Sequence, residues 1–136
     1  MPATESKVTG GCLCGSVRYT TTGEPRSVGL CHCQSCRRAG GAPVVSWFVV
    51  SLDEFSMTGA LTHYASSAEV VRGFCATCGT PISYTHSDAP DVIEITSATL
   101  DEPDRFVPTR ESWLSEKIAW MCVDPARDHF SQSSGE

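Results

Sequence analysis

The stretch Val44-Val45-Ser46-Trp47-Phe48-Val49-Val50-Ser51 consists almost wholly of β-branched and aromatic side chains. Such side chains fit the pleated surface of a sheet and lose rotamer freedom in a helix. The stretch predicts a strand, and its surroundings repeat the pattern in shorter pieces. Residues 8–11 and 16–21 flank a pair of cysteines and predict a hairpin. Residues 57–58, 62–65, 70–74, 82–85 and 92–96 predict further short strands, separated by Gly59, Ser66-Ser67 and similar breakers. A helix is expected only at residues 34–39, stopped by Gly40-Gly41, with a second helical turn starting at Asp101-Glu102-Pro103-Asp104. Many short strands with turn signals every 8–12 residues or so predict a mainly β fold, a barrel or a sandwich.

The chain has 136 residues, with 10 Lys+Arg against 16 Asp+Glu and a formal net charge of -6. That length fits one domain, residues 1–136 with a core at about 7–130. Residues 1–6 and 131–136 read as frayed ends. A basic stripe for nucleic acid is missing, since the densest basic pair is Arg37-Arg38. No apolar run approaches the ~20 residues of a membrane helix, and the first residues lack the pattern of a secretory signal. A cytoplasmic location follows as the expectation, and there thiols stay reduced and clustered cysteines bind metal or do chemistry.

The eight cysteines fall mainly into three groups: Cys12-Leu13-Cys14, Cys31-His32-Cys33-Gln34-Ser35-Cys36, and Cys75-Ala76-Thr77-Cys78. The last, followed by Gly79, has the shape of a zinc knuckle: a tight turn aims two sulfurs at one point. Closing a tetrahedral site needs a second pair, which the first group or two of the central three can supply. Seven clustered thiols thus divide as four plus three, and iron suits a four-sulfur site as well as zinc does. Four protein ligands make a closed structural site, whereas three leave a position for a substrate. A fourth ligand to the central three could instead come from Cys122, His63, His86 or His129. A redox pair at Cys33/Cys36 is another reading of the same spacing. His32 is not expected to ligate, because on an extended segment it points away from the cysteines beside it.

The ordered set of Gly11-Cys12-Leu13-Cys14-Gly15, Cys31-His32-Cys33-Gln34-Ser35-Cys36-Arg37-Arg38, Tyr64-Ala65-Ser66-Ser67 and Arg72-Gly73-Phe74-Cys75-Ala76-Thr77-Cys78-Gly79-Thr80 resembles the glutathione-dependent formaldehyde-activating enzyme family, whose domain centromere protein V also carries. Trp120 and Asp124 fit that family's Trp/Asp pair. The resemblance implies a β-tent-like fold of packed antiparallel sheets and two zinc ions per chain. It places a structural zinc on Cys12, Cys14, Cys75 and Cys78, and a second on Cys31, Cys33 and Cys36. It also implies a carbon–sulfur lyase that joins glutathione to formaldehyde. One departure is that Pro108-Thr109-Arg110-Glu111-Ser112-Trp113 lacks a histidine that the family often has there.

An open three-thiolate zinc would take a substrate thiol as its fourth ligand and strip its proton. Cys31, Cys33 and Cys36 are therefore the candidate catalytic residues. Arg37 and Arg38 are the candidate partners for a glutathione carboxylate, since a guanidinium matches a carboxylate at two points. Trp47, Phe48 and Trp120 are expected in the core. Asp124 is either a base, an acceptor behind the zinc, or a turn residue before Pro125. Of the rival readings, the fold's use as a protein-binding module, as in a zinc chaperone of Rab proteins, applies if the second zinc is closed or absent. Methionine-R-sulfoxide reductase fits poorly, because the first pair is spaced Cys-x-Cys.

Overall fold

A computed structural model describes residues 7–134. The strands are β1 (Val8–Gly11), β2 (Arg18–Thr21), β3 (Ser27–Cys31), β4 (Val45–Ser51), β5 (Phe55–Thr58), β6 (Leu61–Ala65), β7 (Val70–Cys75), β8 (Pro81–His86), β9 (Val92–Thr96), β10 (Arg110–Ser112) and β11 (Asp128–His129). One α-helix, α1 (Gln34–Gly40), joins β3 to β4, and the turn expected after Asp101 is a 3-10 turn at Pro103–Arg105.

β1, β2 and β5 form a three-stranded sheet, and the other eight strands form a second sheet in the order β11-β10-β3-β4-β9-β8-β7-β6. Neighbours are antiparallel except β10, which runs parallel to both β3 and β11. The small sheet and its turn supply Val8, Val17 and Tyr19 to a shared core, and the large one supplies Val28, Phe48, Val50, Ile82 and Ile95. The Tyr19 ring lies 6.3 Å from Phe48 and 5.7 Å from Phe55, and its hydroxyl meets Thr99 Oγ1 at 2.7 Å. A phenol so placed buries its ring without stranding its polar tip.

β4 shows why the opening stretch is apolar on both faces. It is central in the large sheet, and Trp47 through Val50 are all buried. Successive side chains alternate: Phe48 and Val50 enter the core, whereas Trp47 and Val49 line a cleft on the other face. Phe48 thus sits where the sequence puts it, Trp47 is a cleft wall, and Trp120 is corrected outright, being 70% exposed.

Three strands are new relative to the sequence reading: β3, β10 and β11. The frayed-end expectation also fails at Ser131 and Gln132, whose carbonyls accept from the amides of Ser115 and Trp113 at 3.0 and 2.9 Å. The expected frayed residues 1–6 and 135–136 lie outside the described residues. α1 starts at Cys33, whose sulfur accepts from the Cys36 amide at 3.3 Å, and ends at Gly41, which takes φ 61° and donates its amide to the Arg37 carbonyl. A side chain at such a φ would be strained, so glycine suits this stop. Among the described residues no helix is long and apolar enough to cross a membrane.

Candidate metal centres

The β1–β2 turn carries Cys12 and Cys14, β7 ends on Cys75, and the turn into β8 carries Cys78. These four sulfurs all lie within 4.8 Å of one another. Cys14 Sγ is 3.6 Å from Cys12 Sγ and 3.8 Å from Cys75 Sγ. A tetrahedral zinc with bonds of about 2.3 Å to four sulfurs needs edges of about 3.8 Å, so the set fits such an ion. The surroundings favour thiolates. The Val17 amide donates to Cys12 Sγ at 3.3 Å, and the Thr77 and Cys78 amides donate to Cys75 Sγ at 3.3 and 3.4 Å. The Thr80 hydroxyl meets Cys78 Sγ at 3.1 Å and, as the main influence, holds this thiol down at about 5. Gly79 takes φ 82° and closes the knuckle, its amide bonded to the Cys75 carbonyl at 2.9 Å.

The second cluster gathers Cys31 at the end of β3, Cys33 at the cap of α1, and Cys36 one turn on, again with all sulfurs within 4.8 Å. Among the described residues no His, Cys, Asp or Glu joins them; His63, His86, His129 and Cys122 stand outside the group. Three thiols this close cannot all ionise without a cation. Cys33 is pushed down to about 2 by hydrogen bonds first with Cys31 and then with Cys36, and the same contacts push Cys31 far up. The donor set suits a cation that accepts thiolates, and a cationic side chain already stands beside it. Arg72 of β7 places Nη1 and Nη2 at 3.7 and 3.8 Å from Cys36 Sγ. Its Nε donates to Ser66 Oγ at 3.0 Å, and its guanidinium lies 5.2 Å from the centroid of the Tyr84 ring.

A cleft of about 310 Å³ opens over this cluster. Cys31, Cys33 and Cys36 line it together with the aromatic rings of Trp47 and Tyr84, whose centroids are 5.6 Å apart. Arg72 and Arg110 bring positive charge to the cleft, and Glu94 and Glu116 bring negative charge. Arg37 and Arg38, the sequence candidates for this duty, do not line it. Arg37 Nε is buried without a hydrogen-bond partner among the described residues. Arg38 pairs with the Gln34 side-chain oxygen at 3.2 and 3.3 Å once that amide is oriented to suit it.

His32 is fully buried and turned to a different partner. Its Nε2 lies 2.6 Å from Glu111 Oε1, and the other carboxylate oxygen accepts from Arg127 Nη1 at 2.9 Å. Burial, the largest single influence, pushes the Glu111 carboxyl up. The bonds from His32, Arg127 and the Asp124 amide together outweigh it and hold the group below its ordinary 4.5. A carboxylate with a depressed folded pKa stabilises the fold fully above its unfolded value. It loses that contribution as pH falls through the folded one. Titrating the ¹³C-labelled Glu111 carboxyl by NMR should therefore give a midpoint below 4.5; a midpoint above it would contradict this bonding. Asp124 is a turn residue, its Oδ1 accepting from the Ala126 amide at 2.8 Å.

Sequence reasoning missed Glu111, Arg127 and Tyr84. Nothing in the local pattern marks them, because their partners lie far away in the chain. Arg72 carries a sequence signal only as the first residue of the Arg72–Thr80 run.

The fold and its thiols define a class: a mainly β protein with one four-cysteine cluster and one three-cysteine cluster facing a cleft. The chain belongs to the glutathione-dependent formaldehyde-activating enzyme family, whose model matches residues 7–116. It is 28% identical over 79 residues to an uncharacterized lyase of Schizosaccharomyces pombe, a match spanning 58% of each protein. Its fold is similar to that of a Rhodobacter sphaeroides protein solved by crystallography. The TM-score is 0.59 at 21% identity, covering 90% of this chain and 98% of that one.

Proposed function

We propose that the chain is a zinc-dependent carbon–sulfur lyase-like enzyme acting on a glutathione-like thiol and its small-aldehyde adduct. On this reading Cys12, Cys14, Cys75 and Cys78 hold a structural zinc, and Cys31, Cys33 and Cys36 hold a second. The observation that carries it is the contrast between the clusters: one has four sulfurs, and the other has three at the floor of a cleft. A zinc on three thiolates supplies a position where an incoming thiol loses its proton.

The chain's own residues do the rest. In the addition direction the sulfur bonds to the aldehyde carbon, the carbonyl π bond opens and its oxygen takes up the proton that the thiol gave up. The reverse breaks that carbon–sulfur bond, reforms the carbonyl and returns the proton to sulfur. Arg72 stands against Cys36 and offsets the excess negative charge that three thiolates leave on a divalent ion. Arg110 takes over from Arg37 and Arg38 as the partner for a substrate carboxylate, because it is on the cleft wall. Glu94 and Glu116 suit an ammonium group on the same substrate. Trp47 and Tyr84 line the cleft with aromatic rings, which keep water from the reacting atoms.

Because the uncatalysed addition is fast, the test reads exchange at equilibrium between glutathione and its formaldehyde adduct by two-dimensional NMR. Wild type should speed exchange, and Cys36→Ser should not. Arg110→Ala should lose about tenfold or more with glutathione, the scale of one charged hydrogen bond, and nothing with mercaptoethanol, which has no carboxylate. If wild type and Cys36→Ser match across a panel of thiols and aldehydes, the protein-binding-module reading replaces this one.

A further inference from the structure

The Cys31-His32-Cys33 turn is held from behind. In an extended tripeptide the outer side chains share one side and the middle one takes the other. Here the two sulfurs face the cleft and the imidazole between them enters the core. Its backbone amide donates to the Ser112 carbonyl at 3.0 Å, and its ring meets Glu111 at 2.6 Å. Both partners sit on β10, whose Glu111 and Ser112 pair in register with Leu30 and Cys31 of β3. Arg127 fixes the carboxylate from its far side, and its own Nε is anchored to the Pro108 carbonyl at 3.2 Å.

This arrangement is a poor way to gain stability. Glu111 is 1% exposed and His32 is 0% exposed. Buried ionic groups of this kind seldom stabilise a fold better than apolar residues of the same shape. His32 Nδ1 is buried as well and has no partner among the described residues, which adds an unrecovered desolvation cost. What the bonds do supply is direction. They fix the ring's rotation and, through one residue of backbone, the positions of the sulfurs on either side.

We propose that Glu111, acting through His32, is the positioning residue that presets the Cys31–Cys33 turn for a metal ion on the central three thiols. The inference rests on the reading that those thiols hold a metal. Neither residue touches the metal; both act through the turn.

The test uses cobalt(II) titration of the full chain followed by absorption, which reads sulfur-to-cobalt charge transfer and the d–d bands of each site. Two variants are needed. Glu111→Leu leaves the His32 ring with no acceptor. The double variant His32→Phe/Glu111→Leu replaces both groups with apolar ones, so it restores packing without the directed bond, and it serves if the single variant does not fold. In both, the first cobalt should bind as in wild type. The second should bind 10–100-fold more weakly with altered d–d bands, as happens when groups that orient metal ligands are lost. A double variant that binds its second cobalt with wild-type affinity and spectrum overturns the proposal, because packing alone then sets the turn. Wild type that takes up only one cobalt overturns the metal reading of the central thiols and this inference with it.

Discussion

Cys78→Ser should unfold the protein, whereas Cys36→Ser should leave it folded with one metal ion fewer. The asymmetry follows from what each cluster ties together. Cys12 and Cys14 sit in the turn of the small sheet, and Cys75 and Cys78 sit on the large one. An ion on these four thiols would clasp the sheets together, beside a core that includes Cys12 and Cys75 themselves. Structural zinc contributes about 10–16 kcal/mol in small peptides, against a total stability of about 5–15 kcal/mol for a typical domain. Cys31, Cys33 and Cys36 lie within a few residues of one another, and β3, α1 and β4 hold them through their own hydrogen bonds and packing. Cys36→Ser exchanges one small buried group for another, so the melting temperature should fall by only a few degrees. Circular dichroism melts together with metal counting by mass spectrometry read both effects. Equal collapse of the two variants would mean that the central cluster is structural and that the catalytic reading fails.

Phe48→Ala should cost about 3–5 kcal/mol, the range for emptying a large aromatic site in a packed core. Phe48 is fully buried, it pairs in register with Val28 on one side and Ile95 on the other, and it faces the Tyr19 ring of the opposite sheet. Val28 and Ile95 beside it are β-branched and Tyr19 is a ring, so these neighbours have little rotamer freedom with which to refill the space. In urea, with a slope of about 1–3 kcal/mol/M, the midpoint should drop by more than 1 M at unchanged slope. Trp47→Ala, one residue earlier, should disturb stability less and thiol exchange more, since its ring lines the cleft. A loss below about 1 kcal/mol for Phe48→Ala would mean that the two sheets do not share the core described here.

The sequence made the β-branched strands legible because each carries its own signal. Residues 44–51, 70–74 and 92–96 are apolar enough to be read alone, and Gly40-Gly41 marks a helix stop by conformational freedom. Both thiol clusters could be counted from spacing, which left open the pair that meets Cys75 and Cys78. The family resemblance named Cys12 and Cys14, and the fold brings those four sulfurs together. β10 could not be read. Arg110-Glu111-Ser112 has no apolar pattern, and it is a strand because its backbone pairs with β3 and its carboxylate finds His32 and Arg127. β3 is interrupted by Gly29, and Arg110 packs so closely there that an added Cβ would lie 3.0 Å from its Cγ. The cleft's arginines were hard to read for a related reason. Adjacency to Cys36 singles out Arg37 and Arg38, but a helix turns its successive side chains about 100° apart, and neither lines the cleft that Cys36 lines. Arg72 reaches the sulfur instead, from a strand remote in sequence.

The parallel pairing of β10 with β3 also sets an order of events during synthesis. All seven clustered cysteines lie within the first 78 residues, whereas Glu111 and Arg127, which brace the central turn, are made much later. The hairpin sulfurs likewise wait for partners on the far side of β4. A nascent chain therefore displays reduced thiols with no shaped pocket around them, at the stage when soft cations compete for thiolates with little regard for geometry. On the reading that Glu111 presets the central cluster for an ion, that cluster takes its final shape only after the carboxy-terminal segment docks, so selection of the ion comes late in folding.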